Sequence, residues 1–302
     1  MTAVLYVAAR APRPGFAKTR LGKAIGHAAA NALYTAFLQD LAARFAGAPF
    51  PVGWYVTPED AWESLAPLVR PECTPPHPTM GPLHPHGPPA PSPASGRGGA
   101  DVTPTVAAGP VLIQGPGDWG VRQQALFSEA PARGETRTIL VASDSPQLTV
   151  EVVVEAFELL EQHDLVLGPV DDGGYYLVGM RGPWPVLGGV PMSTRTVLAE
   201  IVARAEQLGL SVALVEPTFD VDEAEDLERL AALAAQREDL PATRAALAKE
   251  TGDRRQETGE DRGGASPTPT PPIGAGLAPP DLTPFRPLTE ERAFSFGDGG
   301  EE

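Results

Sequence analysis

Cysteine is nearly absent from this 302-residue chain, in which Cys73 is the only one. A single cysteine excludes an internal disulfide and a cysteine-rich zinc site, and it fits a reducing compartment. Long apolar runs are also missing. The opening run of MTAVLYVAAR is too short to span a membrane and lacks the positive stretch that precedes a signal-peptide core. We therefore expect a cytoplasmic protein.

Positive charge is scarce as well. The chain has 23 Lys and Arg against 39 Asp and Glu, which gives a net charge of -16, and its isoelectric point is near 4.7. Nucleic acids and anionic membranes are bound by basic faces, so we expect neither as a partner. A small anionic ligand remains possible where positive charge is concentrated locally. The phosphate-binding pattern G-x-x-x-x-G-K-[ST] is absent.

The composition predicts that only part of the chain folds. A hydrophobic content of 42% is enough for a sizeable core, but 35 Pro and 32 Gly are too many for one compact domain. Residues 71–110 are Pro-rich with few large apolar side chains, and residues 250–302 are polar and acidic. We expect a disordered insertion and a disordered tail there, because neither can recover its ordering entropy by burial. The folded domain would then comprise residues 1–249 without the insertion.

A short apolar run, Ile139 to Val141, is typical of a strand buried on both faces of a parallel sheet. Asp144 follows at its carboxyl end. Ligands of open α/β sheets bind outside the carboxyl ends of strands, which favours a ligand or metal role for this carboxylate. An equally weighted alternative is that Asp144 caps a helix starting near Thr149.

The first strand, Val4 to Ala9, leads into a basic loop and then an amphipathic helix over residues 24–46. Two of the chain's three lysines lie in or just after the loop, and no acidic residue occurs before Asp40. The basic side chains are Arg10, Arg13, Lys18, Arg20 and Lys23. Several cations beside a flexible backbone suit a di- or triphosphate. The alternative is a solvated basic loop.

Val52 to Val56 is the expected second strand, and a further apolar run begins at Val111 and is followed by Gly115, Gly117 and Gly120. These glycines match G-x-G-x-x-G, the dinucleotide-binding pattern. However, that pattern belongs after the first strand and requires an acidic residue about 20 positions on. A tight turn before a helix over residues 118–130 is therefore favoured over a redox-cofactor site.

Two further acidic pairs lie between predicted elements. Asp171 and Asp172 precede two glycines between strands over residues 164–170 and 175–180, where a ligand-binding turn and a plain hairpin turn explain the pattern equally well. Asp220 and Asp222 come just before a helix over residues 223–237. Helix amino termini favour acidic residues, so capping is the structural alternative for Asp222.

Five stretches in this order resemble one family: RAPRPGFAKTRL, QGPGDWG, VASDSPQL, GPVDDGGYYLVGM and FDVDEAEDLERL. The family is DUF2064, glycosyltransferases associated with radical-SAM and arsenosugar gene clusters, within the nucleotide-diphospho-sugar transferase superfamily. The resemblance extends from Met1 to about Ala235 outside the insertion. It implies an α/β fold of GT-A type, a Rossmann-like three-layer α/β/α sandwich with a mostly parallel central sheet. It also implies kinship with the 2-phospho-lactate and molybdenum cofactor guanylyltransferases.

The resemblance further implies roles for individual residues. Lys18, Arg20 and Asp144 would be catalytic, and Asp144, Asp222 and Asp220 would bind a divalent metal. The nucleotide would be bound by Ala8, Arg10, Arg13, Gly15, Lys18, Arg20, Gln114, Gly115, Gly117 and Asp118. The substrate would be bound by Asp171, Asp172, Gly173, Gly174 and Tyr175. The long insertion, and Phe16 and Ala17 beside Lys18, depart from the family's usual pattern, so we expect an altered substrate cleft.

These features lead to three functional hypotheses. The first is a metal-dependent transferase that moves a sugar from a nucleotide-diphospho-sugar donor to a small-molecule acceptor. Carboxylate ligands favour Mg or Mn for its metal. The second hypothesis keeps the site but transfers the nucleotide and releases pyrophosphate, since a triphosphate needs more cations than a diphosphate. The third is a nucleotide-binding module without catalysis.

Overall fold

The computed structural model describes residues 2–69 and 109–258, with only the backbone described over 254–258. Nearly all of the expected insertion and most of the expected tail lie outside the described residues. Within the described ranges, no helix has the length and apolar character that a membrane crossing requires.

Seven strands form a single sheet in the order β3-β2-β1-β4-β6-β5-β7. They are β1 (Thr2–Arg10), β2 (Val52–Thr57), β3 (Val111–Ile113), β4 (Glu135–Ala142), β5 (Leu165–Pro169), β6 (Tyr175–Met180) and β7 (Val212–Leu214). Each pairing is parallel except those of β6, which runs antiparallel to both neighbours. The predicted mostly parallel sheet is confirmed.

Helices cover both faces of the sheet. They are α1 (Thr19–Ile25), α2 (His27–Phe45), α3 (Ala61–Val69), α4 (Trp119–Glu129), α5 (Val150–Leu159), α6 (Val197–Gln207), α7 (Asp226–Gln236) and α8 (Pro241–Thr258). Successive side chains of β1 point to opposite faces. Leu5 and Val7 join a core with α2, α3, α5, α7 and α8, whereas Val4 and Tyr6 join a second core with α4 and α6. This is the predicted three-layer α/β/α sandwich.

Two helical features differ from the sequence prediction. The helix expected over residues 24–46 is divided at Gly26, whose φ of +88° is incompatible with a continuous helix, so α1 begins within the basic loop. Helix α8 was not expected, because residues 241–258 lack a long apolar stripe. It continues to Thr258, so the described fold extends past the boundary at residue 250 that the composition indicated for the tail.

Asp40 on α2 holds the start of α8. Its side chain is 2% exposed, and its two oxygens accept the backbone N–H groups of Ala242 and Thr243 at 3.0 and 2.8 Å. The first N–H groups of a helix have no partner within it, so this carboxylate supplies a cap from a distant part of the chain.

We expect Asp40→Ala to lower the free energy of unfolding by about 1 to 3 kcal/mol, because two buried N–H groups lose their acceptor. Asp40→Asn retains one acceptor oxygen and should cost less. Urea unfolding of both variants measures the difference. Equal stability of the alanine variant and the wild type would show that α8 is held by apolar packing alone.

Candidate functional site

The predicted site residues lie along one edge of the sheet, where the parallel strands end. The loops after β1, β3, β4 and β7 open at this edge, and the turn from β5 to β6 lies there too because β6 runs back. Ala8 is the exception, since it lies within β1 between Tyr55 and Ala142 of the neighbouring strands. The topology therefore brings together segments that are far apart in sequence, as expected for an open α/β sheet.

Lys18 lies at the centre of this edge. Its Nζ is 2.7 Å from Oδ1 of Asp144 and 3.0 Å from Oδ1 of Asp222, and its side chain is 2% exposed. The contact with Asp222 joins positions 204 residues apart. Lys18 has a left-handed backbone conformation, with φ of 52°, immediately before α1. It thus connects the basic loop to both predicted metal-binding segments.

Lys18, Asp144, Asp220 and Asp222 form a charged cluster, in which burial and neighbouring charges shift the pKa of Lys18, Asp220 and Asp222. Burial alone would lower the pKa of Lys18, but Asp144 and Asp222 together raise it above its ordinary value. Burial opposes ionisation of Asp222, yet Lys18 and Arg20 hold its pKa below the usual range. Burial, together with the charge of Asp144, raises the pKa of Asp220 to about 7. The cluster therefore contains more carboxylate than Lys18 neutralises.

Helix capping does not account for Asp144 or Asp222. The cap of α5 is Thr149, whose side chain accepts the N–H of Val152. Near α7, Asp226 accepts the N–H groups of Asp222 and Glu223 at 2.9 and 2.8 Å, while the carboxylate of Asp222 contacts Lys18. The capping alternative is therefore not supported for either residue, and ligand or metal binding by both stays a prediction.

Three residues that the sequence analysis did not single out form hydrogen bonds around Asp144, none of them to its carboxylate. The buried hydroxyl of Tyr34 accepts the N–H of Arg10 at 2.9 Å and shares a 3.0 Å hydrogen bond with Ser143. Ser145 donates to Asp220. The serines flank Asp144 in the segment SDS, which was a usable signal. Tyr34 gave no such signal, because its ring fits the apolar stripe of α2.

The remaining basic side chains of the first loop face solvent. Arg20 is 60% exposed, with its guanidinium 3.8 Å from Asp222 and 3.9 Å from Glu223. Arg13 pairs with Asp60 at 2.8 Å, and Arg10 and Lys23 are exposed. The solvated-loop alternative thus describes these four residues but not Lys18.

The glycine segment after β3 forms a turn. Gly117 has a φ of +105°, Gly15 in the first loop has one of +77°, and Gly115 is exposed. Asp118 caps α4 by accepting the N–H of Val121 at 2.9 Å. The buried side chain of Gln114 donates to the carbonyl of Tyr55. The tight-turn interpretation fits, and nucleotide binding by this segment stays a prediction.

The acidic turn between β5 and β6 is held by its own contacts. Asp172 accepts the N–H of Gly174 at 2.9 Å, and Asp171 pairs with Arg229. Gly173 has a φ of +90°, and a Cβ there would lie 2.0 Å from the carbonyl oxygen of Arg195. The hydroxyl of Tyr175 accepts from Gln123 at 2.8 Å. Substrate binding by these residues likewise stays a prediction.

The donor set suits a divalent cation. Among the described residues, no three His, Cys, Asp or Glu side chains form a metal-binding cluster. Two carboxylates do converge, because Asp144 and Asp222 each place an oxygen within 3.0 Å of Nζ of Lys18. Both carboxylate side chains are about two-fifths exposed. Mg²⁺ is commonly held by one or two carboxylates, with water and substrate phosphates completing its coordination. These two residues fit that role.

Comparison with known proteins gives a family match over part of the chain. Residues 94–194 match DUF2064, described as an uncharacterized protein conserved in bacteria. The match covers about a third of the chain and includes the segments QGPGDWG, VASDSPQL and GPVDDGGYYLVGM. None of the curated proteins compared with the chain matches it.

Solved structures resemble the whole fold. A protein of Desulfovibrio desulfuricans G20, named provisionally as a nucleotide-diphospho-sugar transferase, has a TM-score of 0.67 and 24% identity, over 85% of this chain and 98% of its own. A cytidylyltransferase of Leptospira borgpetersenii has a TM-score of 0.42 and 11% identity, over 89% and 100%. A CMP:2-keto-3-deoxy-manno-octonic acid synthetase solved with CTP has a TM-score of 0.44 and 12% identity, over 78% and 99%. The first of these similarities confirms the predicted fold, and the DUF2064 match is to residues 94–194 of the chain.

Proposed function

We propose that this protein is a metal-dependent transferase that uses a nucleotide-activated donor and transfers a sugar from a nucleotide-diphospho-sugar. One observation carries the proposal: Asp144 and Asp222 converge on Lys18 at the ligand-binding edge of the sheet, beside exposed arginines. Carboxylates alone would repel a phosphate. Together with a divalent cation and arginines, they form a site in which a diphosphate is neutralised from two sides.

Each group has a chemical task in this proposal. Asp144 and Asp222 would hold Mg²⁺ or Mn²⁺, which supplies charge stabilisation to the phosphate oxygens. Arg20, whose guanidinium lies 3.8 Å from Asp222, would contact the diphosphate as negative charge develops on the leaving group. Tyr34 and Ser143 would fix the end of β4 and so the position of Asp144. The Desulfovibrio protein with the same fold supports a nucleotide-sugar donor.

Nucleotidyl transfer is the second candidate. The exposed arginines Arg10, Arg13 and Arg20 lie in or beside the loop, and several cations suit a triphosphate, which needs more charge compensation than a diphosphate. The same site would then release pyrophosphate instead of a nucleoside diphosphate. Analysis of the phosphate product distinguishes the two reactions.

A thermal-shift panel of nucleoside triphosphates and nucleotide sugars, with and without Mg²⁺ or Mn²⁺, tests the proposal. A ligand at 100 times its dissociation constant adds about 2.7 kcal/mol to the free energy of unfolding. We expect stabilisation by one nucleotide class, larger with metal, followed by turnover when an acceptor is supplied. Binding without turnover would identify a non-catalytic module, and no stabilisation by any nucleotide would contradict the proposal.

Arg20→Ala should weaken binding of the best nucleotide by about 1.5 to 3 kcal/mol, the scale of a hydrogen bond to a charged group. Lys23→Ala is the matched control, because it removes the same charge from the exposed part of α1. Calorimetric titration at two salt concentrations measures both variants. Binding should weaken as salt rises, since exposed charges are screened over about 8 Å at physiological ionic strength. Equal affinities in the two variants would remove Arg20 from the phosphate site.

A further inference from the structure

We infer that Lys18 and the divalent cation exclude each other from the space between Asp144 and Asp222, so that the metal enters only as Lys18 moves away. This inference rests on the proposed function and adds an order of events to it. Lys18 would be a built-in counter-ion that keeps the two carboxylates together before ligands arrive. It would not be a permanent member of the metal site.

The distances make simultaneous occupancy unfavourable. The ammonium of Lys18 touches Oδ1 of both carboxylates, at 2.7 and 3.0 Å. Mg²⁺ binds carboxylate oxygens at about 2.0 to 2.1 Å. A cation bound to the same two oxygens would therefore lie in contact with the ammonium, and the two positive charges would repel each other strongly at such a separation.

The surroundings of Lys18 allow it to leave. Its long, flexible stem rises from a residue just before α1, and the two residues that follow it, Thr19 and Arg20, are exposed, whereas Ala17 before it is buried. Asp144 and Asp222 are about two-fifths exposed, so a cation and water can reach them from the cleft. A phosphate at the basic loop would offer the departing ammonium a new anionic partner.

Metal and phosphate should then bind cooperatively. A metal alone must displace Lys18 from its two carboxylate partners with no phosphate to take their place, so its affinity is reduced. A phosphate that accepts Lys18 removes this cost, which is the general form of positive coupling between two ligands. The coupling would come from Lys18 as well as from direct contact between the metal and the phosphate.

Mn²⁺ binding without phosphate tests the exclusion. Electron paramagnetic resonance counts free Mn²⁺ over a titration of the wild type, Lys18→Gln and Lys23→Gln. Loss of a cation at the carboxylates should tighten Mn²⁺ binding by at least about tenfold in Lys18→Gln. Lys23→Gln, which removes an exposed charge of the same helix, should bind Mn²⁺ like the wild type. Unchanged or weaker binding by Lys18→Gln would overturn the inference.

A second measurement uses the wild type and does not depend on the folding of a variant. The chain has only three lysines, Lys18, Lys23 and Lys249, so ¹⁵N-lysine labelling gives few ammonium signals. Addition of Mg²⁺ with inorganic pyrophosphate should shift or broaden the Lys18 signal as it leaves the carboxylates, with Lys249 as the internal reference. A Lys18 signal that keeps its ion-paired position at saturation would contradict the exchange.

The two proposals can fail separately. If the nucleotide panel shows metal-dependent binding while Lys18 stays on Asp144 and Asp222, the exchange is wrong and the transferase proposal stands. If no nucleotide binds, the transferase proposal fails whatever Lys18 does. If neither the wild type nor Lys18→Gln binds Mn²⁺ at millimolar concentration, the exchange is overturned as well.

Discussion

Asp144→Asn should abolish metal-dependent turnover of the donor identified by the nucleotide panel, with a loss of at least about 10²-fold, the scale of removing one electrostatic stabiliser from a transition state. The change keeps the size of the side chain and removes the charge that a metal requires. Lys18 retains Asp222 as a partner at 3.0 Å, so the fold should be preserved. Turnover and Mn²⁺ affinity should fall together.

The control for this result is Asp253→Asn, which removes the same charge from an exposed position on α8. Its turnover and Mn²⁺ affinity should equal those of the wild type. Circular dichroism and thermal unfolding confirm that each variant is folded. Wild-type turnover in Asp144→Asn would show that Asp144 serves only to hold Lys18.

The second large effect concerns stability. Lys18→Ala should lower the free energy of unfolding by about 1 to 3 kcal/mol in the absence of metal, since two carboxylates lose a hydrogen-bonded charge partner. The cost of breaking a fully buried pair is higher, about 3 to 5 kcal/mol. Here water can reach Asp144 and Asp222, and this reduces the cost of losing Lys18. Urea unfolding in the presence of a chelator gives the value.

Arg20→Ala provides the comparison, because Arg20 faces the same Asp222 from a side chain that is 60% exposed. An exposed pair of this kind contributes about 0 to 1 kcal/mol, so the arginine variant should unfold almost like the wild type. Equal stability of Lys18→Ala and the wild type would mean that Lys18 is solvated in solution and does not hold the two carboxylates together.

The sequence was sufficient to predict the sheet and the edge at which ligands would bind. The run from Ile139 to Val141 has no polar alternation, and such a strand fits only the interior of a covered sheet. Once the strands are parallel, the loops that follow them share one edge, which brings Asp144 there, while its pairing with Asp222 was implied only by the family resemblance. This reasoning needs no side-chain geometry.

The state of Lys18 could not be predicted in the same way. A lysine among arginines, prolines and glycines is typical of a solvated loop, and the pairing that buries it lies 204 residues away. Helix α8 was missed for a related reason. Its amino terminus is capped by Asp40 from α2, so the stabilising contact leaves no local signal in residues 241–258.

The position of Gly109, the first described residue before β3, bears on where this protein can vary in length. Gly109 rejoins the sheet at the start of β2, where its N–H donates to the carbonyl of Val52 at 3.0 Å. Val52 pairs with Leu5, whereas the end of β1 nearest the site is Arg10. Five residues of strand, about 16 Å, separate Leu5, which pairs with Val52, from Arg10 at the end nearest the site.

Changes in the length of the segment that ends at Gly109 therefore reach the sheet at the amino end of β2, away from Lys18 and its carboxylates. Evolution could lengthen or shorten this connection while the edge that carries Lys18, Asp144 and Asp222 stayed under separate selection. The same junction is where a reporter domain or an affinity handle could be inserted by design without touching the chemistry.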